Sequence, residues 1–261
     1  MLSASYLSIQ GISKTYHQGD VSDEVLGDVT LDVASGEFVS ILGPSGCGKS
    51  TLLSIIAGLL APTRGTVRLG GELVTRPPAD MVYLFQQYSK SLFPWRRVRE
   101  NVALGLEVKS RRGSRTSAEI NKLCNEYLAM VGLKDTGDLY PWQLSGGMQQ
   151  RVAIARALIA GPRVLLMDEP FSAVDALARN LLQDLVLELW RKLNITILFV
   201  THDVDEAVYL ADRVLTLSKP PVRVVDRIEL DLPRPRRQVE TRESPEFLRH
   251  RRELYARVTA G

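Results

Sequence analysis

The sequence predicts an α/β fold with a core of buried strands, an N-terminal antiparallel β-subdomain and an inserted helical subdomain. Three observations predict it. Short apolar runs at 38–42, 164–167 and 195–200 are typical of buried strands, and each ends in glycine or polar residues. Loosely alternating segments near the N-terminus predict antiparallel strands. The stretch from residue 86 to about 160 has a mostly helical pattern, which places it as an insertion between core strands.

The composition limits the class of protein. The chain has 261 residues, 45% of them hydrophobic, which suffices for one large domain or a domain with an inserted subdomain. A net charge of +3 does not by itself indicate nucleic-acid binding. Two cysteines, Cys47 and Cys124, form no disulfide framework and predict a reducing compartment. Residues 1–11 predict no secretory signal, and the apolar runs fall short of the roughly 20 residues of a membrane span.

A glycine-rich segment between a predicted strand and a predicted helix at 52–60 carries the strongest signal. Residues 43–51 read GPSGCGKST, which fits G-x-x-x-x-G-K-[ST]. In this context backbone N–H groups cradle phosphates, Lys49 reaches the β- and γ-phosphates, and the Ser50 hydroxyl faces Mg²⁺. An ordinary glycine-rich turn is the alternative, and the filled motif positions argue against it. The sequence therefore predicts a P-loop NTPase core with nucleotide contacts from Gly43, Pro44, Ser45, Gly46, Cys47, Gly48, Lys49, Ser50 and Thr51.

Two other predicted core strands end in chemically active side chains. Asp168 and Glu169 follow the strand at 164–167, where Asp168 would hold Mg²⁺ through water and Glu169 would orient or deprotonate the attacking water. Paired acids otherwise often cap a helix. His202 follows the strand at 195–200. Because ligands bind outside the carboxyl ends of strands in open α/β sheets, we expect these groups at one edge with the phosphate loop.

A second anion site is one of two interpretations of residues 144–151, which read LSGGMQQR. Ser145 is a good N-cap, and Gly146 and Gly147 would bare backbone N–H groups at a helix start. A simple capped helix explains the same residues, and chemistry alone leaves both interpretations open. Tyr16 is a similar case, since spacing alone favours a strand-end tyrosine packed on the core over one that stacks on a base.

The remaining pattern predicts the organisation of the chain. Strands are predicted at 6–15 and 26–33, with a polar loop at 17–24 between them. A capping box at Thr116 and an N-cap at Ser244 each predict a helix, and the arginines of the Pro- and Arg-rich tail are expected to form a solvated face. The predicted divisions are a nucleotide-binding core with the antiparallel subdomain at 1–85, a helical subdomain at 86–160, the continued core at 161–230, and a C-terminal segment with a helix at 231–261.

These motifs together resemble the complete motif set of the ABC ATPases. They occur in that family's order, the similarity covers roughly residues 6 to 230, and Leu-Ser-Gly-Gly at 144–147 is the family-specific element. The resemblance implies that two copies pair head to tail and clamp each ATP between the phosphate loop of one copy and residues 145–147 of the other. The motifs are residues 43–51, Gln86, residues 144–151, 164–170 and 172–175, and His202.

The resemblance also implies roles for single residues. Gln86 would contact Mg²⁺ and sense the partner, His202 would contact the γ-phosphate, and Asp175 matches the family's D-loop aspartate. Tyr16 matches the adenine-stacking aromatic, which reverses the interpretation from spacing. The expected catalytic residues are Glu169, His202, Gln86 and Lys49; the expected magnesium ligands are Ser50, Gln86 and Asp168; the expected nucleotide contacts outside the loop are Tyr16, Ser145, Gly146, Gly147, Gln149 and Asp175.

A subgroup is indicated by four segments: Phe85-Gln86-Gln87, Leu-Phe-Pro-Trp at 92–95, residues 144–151 with Met148, and Leu-Pro-Arg-Pro-Arg at 232–236. They resemble the ATPase subunits of nitrate-, sulfonate- and taurine-type importers, although Val174 and Trp142 depart from the usual residues without removing a catalytic group. The implied protein hydrolyses ATP with Mg²⁺ at the cytoplasmic face of the cell membrane. Its implied partners are a second copy, permease subunits docking near 86–95 and, indirectly, a substrate-binding protein, with no nucleic acid. Another importer class and a soluble non-transport ABC ATPase are the alternatives.

Overall fold

The structure is a computed structural model that describes residues 5–19, 21–86, 91–107, 115–172 and 174–260. The chain forms two compact units. The discontinuous unit combines Met1–Pro78 with Ile195–Gly261, and the continuous unit is Ala79–Asn194. Gln87 of the subgroup resemblance and Ala173 of the 172–175 motif lie outside the described residues.

The described elements follow one another in this order along the chain: β1 (Leu7–Gln18), β2 (Val21–Val33), β3 (Phe38–Leu42), α1 (Lys49–Ile56), β4 (Arg64–Leu69), β5 (Glu72–Leu73), β6 (Met81–Leu84), α2 (Val98–Glu107), α3 (Ser117–Met130), a 3₁₀ helix (Pro141–Gln143), α4 (Gly146–Ile159), β7 (Val164–Asp168), α5 (Ala176–Leu193), β8 (Thr196–Thr201), α6 (Val204–Leu210), β9 (Arg213–Leu217), β10 (Val224–Glu229), α7 (Gln238–Glu243) and α8 (Pro245–Ala260).

The antiparallel subdomain is a four-stranded sheet with the order β2-β1-β4-β5. Its first hairpin is longer than the sequence predicts, and the predicted polar loop at 17–24 is wrong, because Tyr16 pairs with Asp23 and His17 with Ser22 across the two strands. The His17 Nδ1 and Ser22 Oγ atoms are 2.9 Å apart. Strand β4 pairs with β1 only as far as Ser13, so the end of the hairpin extends past β4. Polar residues can therefore occupy the two strands at this end, although the apolar alternation typical of strands is missing there.

The parallel core of the discontinuous unit surrounds β3. This strand is fully buried and lies between β8 and β9, both parallel to it, while β10 adds to β9 in antiparallel orientation. Helix α1 begins at Lys49 and ends at Ile56, earlier at both ends than the predicted 52–60. It stops before Gly58, which has φ +69°, and a Cβ at Gly58 would lie 2.6 Å from the Arg76 backbone. Glycine therefore permits the close approach that ends this helix.

The continuous unit contains the parallel pair β6 and β7 and helices α2 to α5. The predicted capping box is confirmed, since the Thr116 side chain accepts from the Glu119 N–H and the Glu119 carboxylate accepts from the Thr116 N–H at 2.7 Å. Helices α2 and α4 come very close at Gly105, where a Cβ would lie 2.3 Å from the Arg156 carbonyl oxygen. The helical part of this unit is thus packed backbone to backbone.

The C-terminal segment folds back on the discontinuous unit. The predicted N-cap is confirmed, because the Ser244 Oγ accepts from the Phe247 N–H at 3.2 Å. Phe247 and Leu254 of α8 are fully buried. The expected solvated arginine face is wrong for Arg236, which is only 8% exposed. Across the described ranges, no helix has both the length and the apolar character of a membrane span.

Candidate active site

The phosphate loop connects β3 to α1 and presents an open helix N-terminus. Gly48 occupies the N-cap position with φ +115°, and no side chain caps the first turn of α1. A Cβ at Gly48 would approach the Val25 Cγ1 to 2.7 Å, so β2 packs directly against the loop. Gly46 has φ +74°, and within the described chain a Cβ there would meet nothing within 4 Å. The uncapped N–H groups and this open space suit a bound anion such as a phosphate.

Lys49 is enclosed by the loop that precedes it. Its side chain is 4% exposed, and its Nζ donates to the carbonyl oxygens of Gly43 at 3.0 Å and Pro44 at 2.7 Å. The loop therefore wraps around a buried ammonium, which supplies a positive charge at the helix N-terminus. Its contact with the β- and γ-phosphates of a nucleotide remains a prediction.

The switch histidine lies at the same sheet edge as the loop. Leu42 of β3 is paired with Thr201 of β8, so Gly43 and His202 are the next residues of two neighbouring parallel strands. The exposed His202 is followed by Asp203, whose carboxylate caps α6 by accepting from the N–H groups of Asp205 and Glu206. This confirms that β3 and β8 bring the loop and the imidazole to one edge.

Tyr16 lies on β1 with its side chain 43% exposed. The Lys14 Nζ is 5.2 Å from the centre of its ring. A half-exposed aromatic ring offers a face for stacking, so its proposed adenine contact remains a prediction that this exposure permits.

The acidic residues end β7 in the continuous unit. Asp168 is 4% exposed, and its Oδ2 accepts a hydrogen bond from the Tyr83 hydroxyl at 2.9 Å. The Glu169 Oε2 accepts from the Gln86 Nε2 at 3.3 Å, so the two proposed catalytic side chains touch. Glu169 also has φ +42°, a left-handed conformation that non-glycine residues rarely adopt. Such strain concentrates at functional sites, where the surroundings hold it in place.

The signature segment and the D-loop lie side by side in the same unit. The Ser145 Oγ accepts from the Met148 N–H at 3.3 Å and caps α4, as predicted. A Cβ at Gly147 would lie 3.8 Å from both Val174 and Ala178, which places the start of α4 beside the start of α5. Asp175 caps α5 by accepting from the Ala178 N–H at 3.0 Å. Ser145 and Asp175, two of the proposed contact residues, therefore also cap their own helices.

Gln149 has a structural contact besides its proposed one. Its Nε2 donates to the carbonyl oxygens of Pro141 at 2.9 Å and Leu144 at 3.2 Å, which anchors the segment in front of α4. Its nucleotide contact remains a prediction.

The main residue that sequence reasoning missed is Tyr83. It lies in strand β6, and its ring stacks on Phe85 with centroids 4.2 Å apart. Tyrosine is common in strands, so its pattern carries no sign of a hydroxyl that holds Asp168. Only the pairing of β6 with β7 reveals the contact, since Tyr83 and Leu166 are register partners two positions before the acid.

The predicted magnesium ligands are chemically suitable for the ion. Ser50, Gln86 and Asp168 offer a hydroxyl, an amide oxygen and a carboxylate, and Mg²⁺ prefers such oxygen donors together with substrate phosphates and water. Within the described ranges, no cluster of three or more His, Cys, Asp or Glu side chains could hold a metal ion. Ser50, Gln86 and Asp168 therefore remain predicted magnesium ligands.

Comparison with known proteins decides the family. The family described as ABC transporter matches residues 26–172, a stretch that contains the phosphate loop, Gln86, the signature and both acids. The chain belongs to the ABC transporter family. It is an ATPase of that family, with the α/β fold of its ATP-binding cassettes.

Relatives and solved structures extend this family likeness. The chain is 46% identical over 230 residues to the nitrate import ATP-binding protein of Synechococcus elongatus, covering 88% of this chain and 34% of that protein. It is 44% identical over 241 residues to the aliphatic sulfonates import ATP-binding protein of Bacillus licheniformis, covering 92% and 89%. A solved dimeric ATP-binding cassette in a post-hydrolysis state with ADP and phosphate matches with a TM-score of 0.76 and 35% identity, covering 86% and 98%.

Proposed function

We propose that this ABC ATPase is the ATP-hydrolysing subunit of a membrane importer for a small anion or a sulfonate-type solute. The names of the nitrate and aliphatic sulfonate relatives support this solute class and a location at the cytoplasmic face of the membrane. The observation that carries the catalytic part is the contact between Gln86 and the strained Glu169, beside the buried Asp168. Two carboxylates and an amide in this arrangement are the groups needed to activate a water molecule next to a metal-bound phosphate.

The proposed chemistry uses residues with separate tasks. Lys49 and the N–H groups of the loop hold the phosphates of ATP. Ser50 would help to hold Mg²⁺, which when bound would neutralise part of the phosphate charge. The Glu169 carboxylate orients the attacking water or accepts its proton, while Gln86 fixes the direction of that carboxylate. His202 donates a hydrogen bond to the γ-phosphate, whose negative charge it helps to stabilise.

The proposed assembly is a head-to-tail pair of cassettes. Ser145 and Gly146 are exposed at the start of α4, and Asp175 is exposed at the start of the adjacent α5. The dimeric form of the similar solved cassette supports the pairing of two copies, and the head-to-tail orientation is part of the proposal. In it, each ATP would lie between the phosphate loop of one copy and Ser145–Gly147 of the other.

The first test replaces the proposed base. Glu169→Gln keeps the shape of the side chain and removes its ability to accept a proton, so hydrolysis should fall about 10² to 10⁴-fold while ATP binding survives. Steady-state phosphate release and equilibrium ATP binding are measured side by side. Glu107→Gln, an exposed glutamate paired with Arg96 at 3.7 Å, is the matched control. Hydrolysis near wild type in the Glu169 variant would remove it from the catalytic role.

The second test separates nucleotide binding from pairing. Ser145→Arg places a long cation where the γ-phosphate of the partner's ATP would lie, so monomers should bind ATP and fail to dimerise. Light scattering with ATP and the Glu169→Gln background measures the dimer, and Ser117→Arg at the start of α3 is the control. An ATP-dependent dimer in the Ser145 variant would contradict the head-to-tail arrangement.

The proposed permease contact is the apolar segment near Gln86–Trp95. Trp95 is 71% exposed and Phe93 37%, with ring centroids 5.1 Å apart, while Leu92 is buried. Residues 87–90 of this segment lie outside the described residues. An exposed aromatic pair is typical of an interface anchor.

Purification of the protein with its bound partners tests the function as a whole. Co-purified permease subunits would support an importer, and soluble partners alone would support the non-transport alternative.

A further inference from the structure

The tail motif at 232–236 caps the helix that follows the proposed switch histidine. Arg236 donates from Nη1 to the carbonyl oxygens of Val208 at 3.2 Å and Tyr209 at 2.8 Å. Arg234 donates from Nη2 to the Leu210 carbonyl oxygen at 2.9 Å. These three carbonyls belong to the last turn of α6, where a helix leaves its C=O groups without intrahelical partners. Two guanidinium groups therefore close the C-terminal end of α6, where positive charge is favourable.

Packing alone does not account for a cation at this position. Arg236 is 8% exposed, and burial, with a smaller contribution from Arg234, lowers the pKa of its guanidinium to about 9. In the described part of the chain its Nε and Nη2 atoms are buried without a hydrogen-bond partner. Burying an incompletely paired cation is unfavourable, so an apolar side chain would stabilise this position better unless the two carbonyl contacts matter.

The tail is tied down next to this contact. Arg234 also binds the Asp212 Oδ1 through Nε at 3.1 Å and Nη2 at 2.7 Å. Asp212 in turn accepts from the Phe38 N–H at 3.0 Å, at the start of the strand that leads to the phosphate loop. Arg242 lies 5.0 Å from the centre of the Tyr209 ring. Arg234 and Arg236, which together we call the tail clamp, are therefore anchored to the core strand β3 as well as to α6.

The other end of α6 is joined to the histidine turn. The Thr201 Oγ donates to the buried Glu206 carboxylate at 2.7 Å, and the Asp203 N–H donates back to the Thr201 Oγ at 3.0 Å. Asp203 itself caps the first turn of α6. Since α6 has seven residues and is about 10 Å long, a shift at its C-terminal end moves its N-terminal end as well. His202 lies between the two residues that hold this turn.

We infer that Arg236, with Arg234, is a positioning residue for His202: the tail clamp fixes α6, and α6 fixes the turn that carries the imidazole. This inference rests on the proposed role of His202. It assigns a function to the Leu-Pro-Arg-Pro-Arg motif. Losing the clamp should lower the rate of hydrolysis more than the affinity for ATP, because the imidazole would be held less well in the productive geometry.

The test compares three variants of the full-length chain with saturating MgATP. Arg236→Met removes the hydrogen bonds and keeps an unbranched chain; kcat should fall about tenfold and the KM for ATP should change less than about twofold. Arg236→Lys keeps a cation that donates to both carbonyls, and it should recover most of the rate. The control is Arg237→Met, which removes the adjacent arginine, whose 72% exposed side chain pairs with the exposed Glu240 at 3.5 Å. Its kcat should match wild type.

A double-mutant cycle with His202→Ala decides whether the clamp acts through the histidine. If it does, Arg236→Met should lower kcat in the wild-type background and have no further effect in the His202→Ala background. Equal fold-losses in both backgrounds, or an unchanged kcat in Arg236→Met alone, would overturn this inference and leave the proposed function standing. If His202→Ala itself hydrolyses ATP at the wild-type rate, the role of His202 falls first and the inference falls with it.

Folding is checked in the same experiment. Circular dichroism and thermal unfolding report the folded fraction of each variant, and rates are compared per folded molecule. Where Arg236→Met does not fold, Arg234→Gln replaces it in the cycle, because it removes the Asp212 ion pair and weakens the Leu210 contact while leaving Arg236 in place. The same non-additivity with His202→Ala is then expected, and additive losses would overturn the inference.

Discussion

The hydroxyl of Tyr83 should be worth a measurable part of the stability of the continuous unit. Tyr83→Phe removes one oxygen atom and keeps the ring that stacks on Phe85. It leaves the Asp168 Oδ2 without the hydrogen bond that it now accepts at 2.9 Å, in a side chain only 4% exposed. A hydrogen bond to a charged group contributes about 1.5–3 kcal/mol. Because a buried carboxylate oxygen would be left without a partner, the expected loss of stability lies at the upper end of that range.

The expected loss has two readouts. At roughly 2–4 °C per kcal/mol for a chain of this size, a loss of about 3 kcal/mol should lower the thermal midpoint by about 6–12 °C. Because the hydroxyl also holds a proposed magnesium ligand in place, the concentration of Mg²⁺ needed for half-maximal hydrolysis should rise about 10- to 100-fold. Tyr127→Phe, which removes a hydroxyl from α3 instead, is the matched control. A midpoint within 1 °C of wild type, with unchanged Mg²⁺ dependence, would refute the argument that this bond holds Asp168.

Three further predictions concern packing, assembly and charge. Gly105→Ala should lower stability by about 1–3 kcal/mol in urea unfolding, because its Cβ would lie 2.3 Å from the Arg156 carbonyl oxygen; a neutral effect would mean that α2 and α4 separate easily. Trp95→Ala should reduce co-purification with permease subunits while ATP affinity of the free subunit stays unchanged; lost ATP affinity would place Trp95 in the nucleotide site instead. Asp231→Asn should destabilise at pH 7 and destabilise less at pH 3: the hydrogen bond from His250 lowers the pKa of Asp231, so the stabilisation is fully present above its ordinary pKa of about 3.9 and decreases as the pH falls below it. Equal destabilisation at both pH values would contradict this assignment.

The sequence was most informative where the signal is local. The strand at 38–42 and the caps at Thr116, Ser145 and Ser244 were predicted and confirmed, because a run of apolar residues or a single capping side chain determines them. The motif order also identified the family. The candidate residues at the ends of β3, β7 and β8 follow from the same short-range pattern, since each lies directly after a buried strand.

The missed features depend on contacts that sequence spacing does not encode. The end of the hairpin through His17 and Ser22 extends past the pairing of β1 with β4, and its polar residues lack the alternation that predicts strands. Tyr83 meets Asp168 only through the register of two strands that lie far apart in the chain. Arg236 was expected to be solvated, since nothing in its neighbourhood along the chain marks the carbonyls of α6 that it reaches.

The position of β3 has a consequence for how the protein is made. Strand β3 lies between β8 and β9. Thr196, the first residue of β8, accepts a hydrogen bond from the N–H of Gly36, which is 160 residues earlier in the chain. At a synthesis rate of about 5–20 residues per second, the phosphate loop leaves the ribosome roughly 10 s or more before its sheet can form. The continuous unit emerges complete in the meantime. We therefore expect the nascent protein to carry a folded middle and an unpaired apolar strand, and chaperones to be needed until the last third of the chain is released.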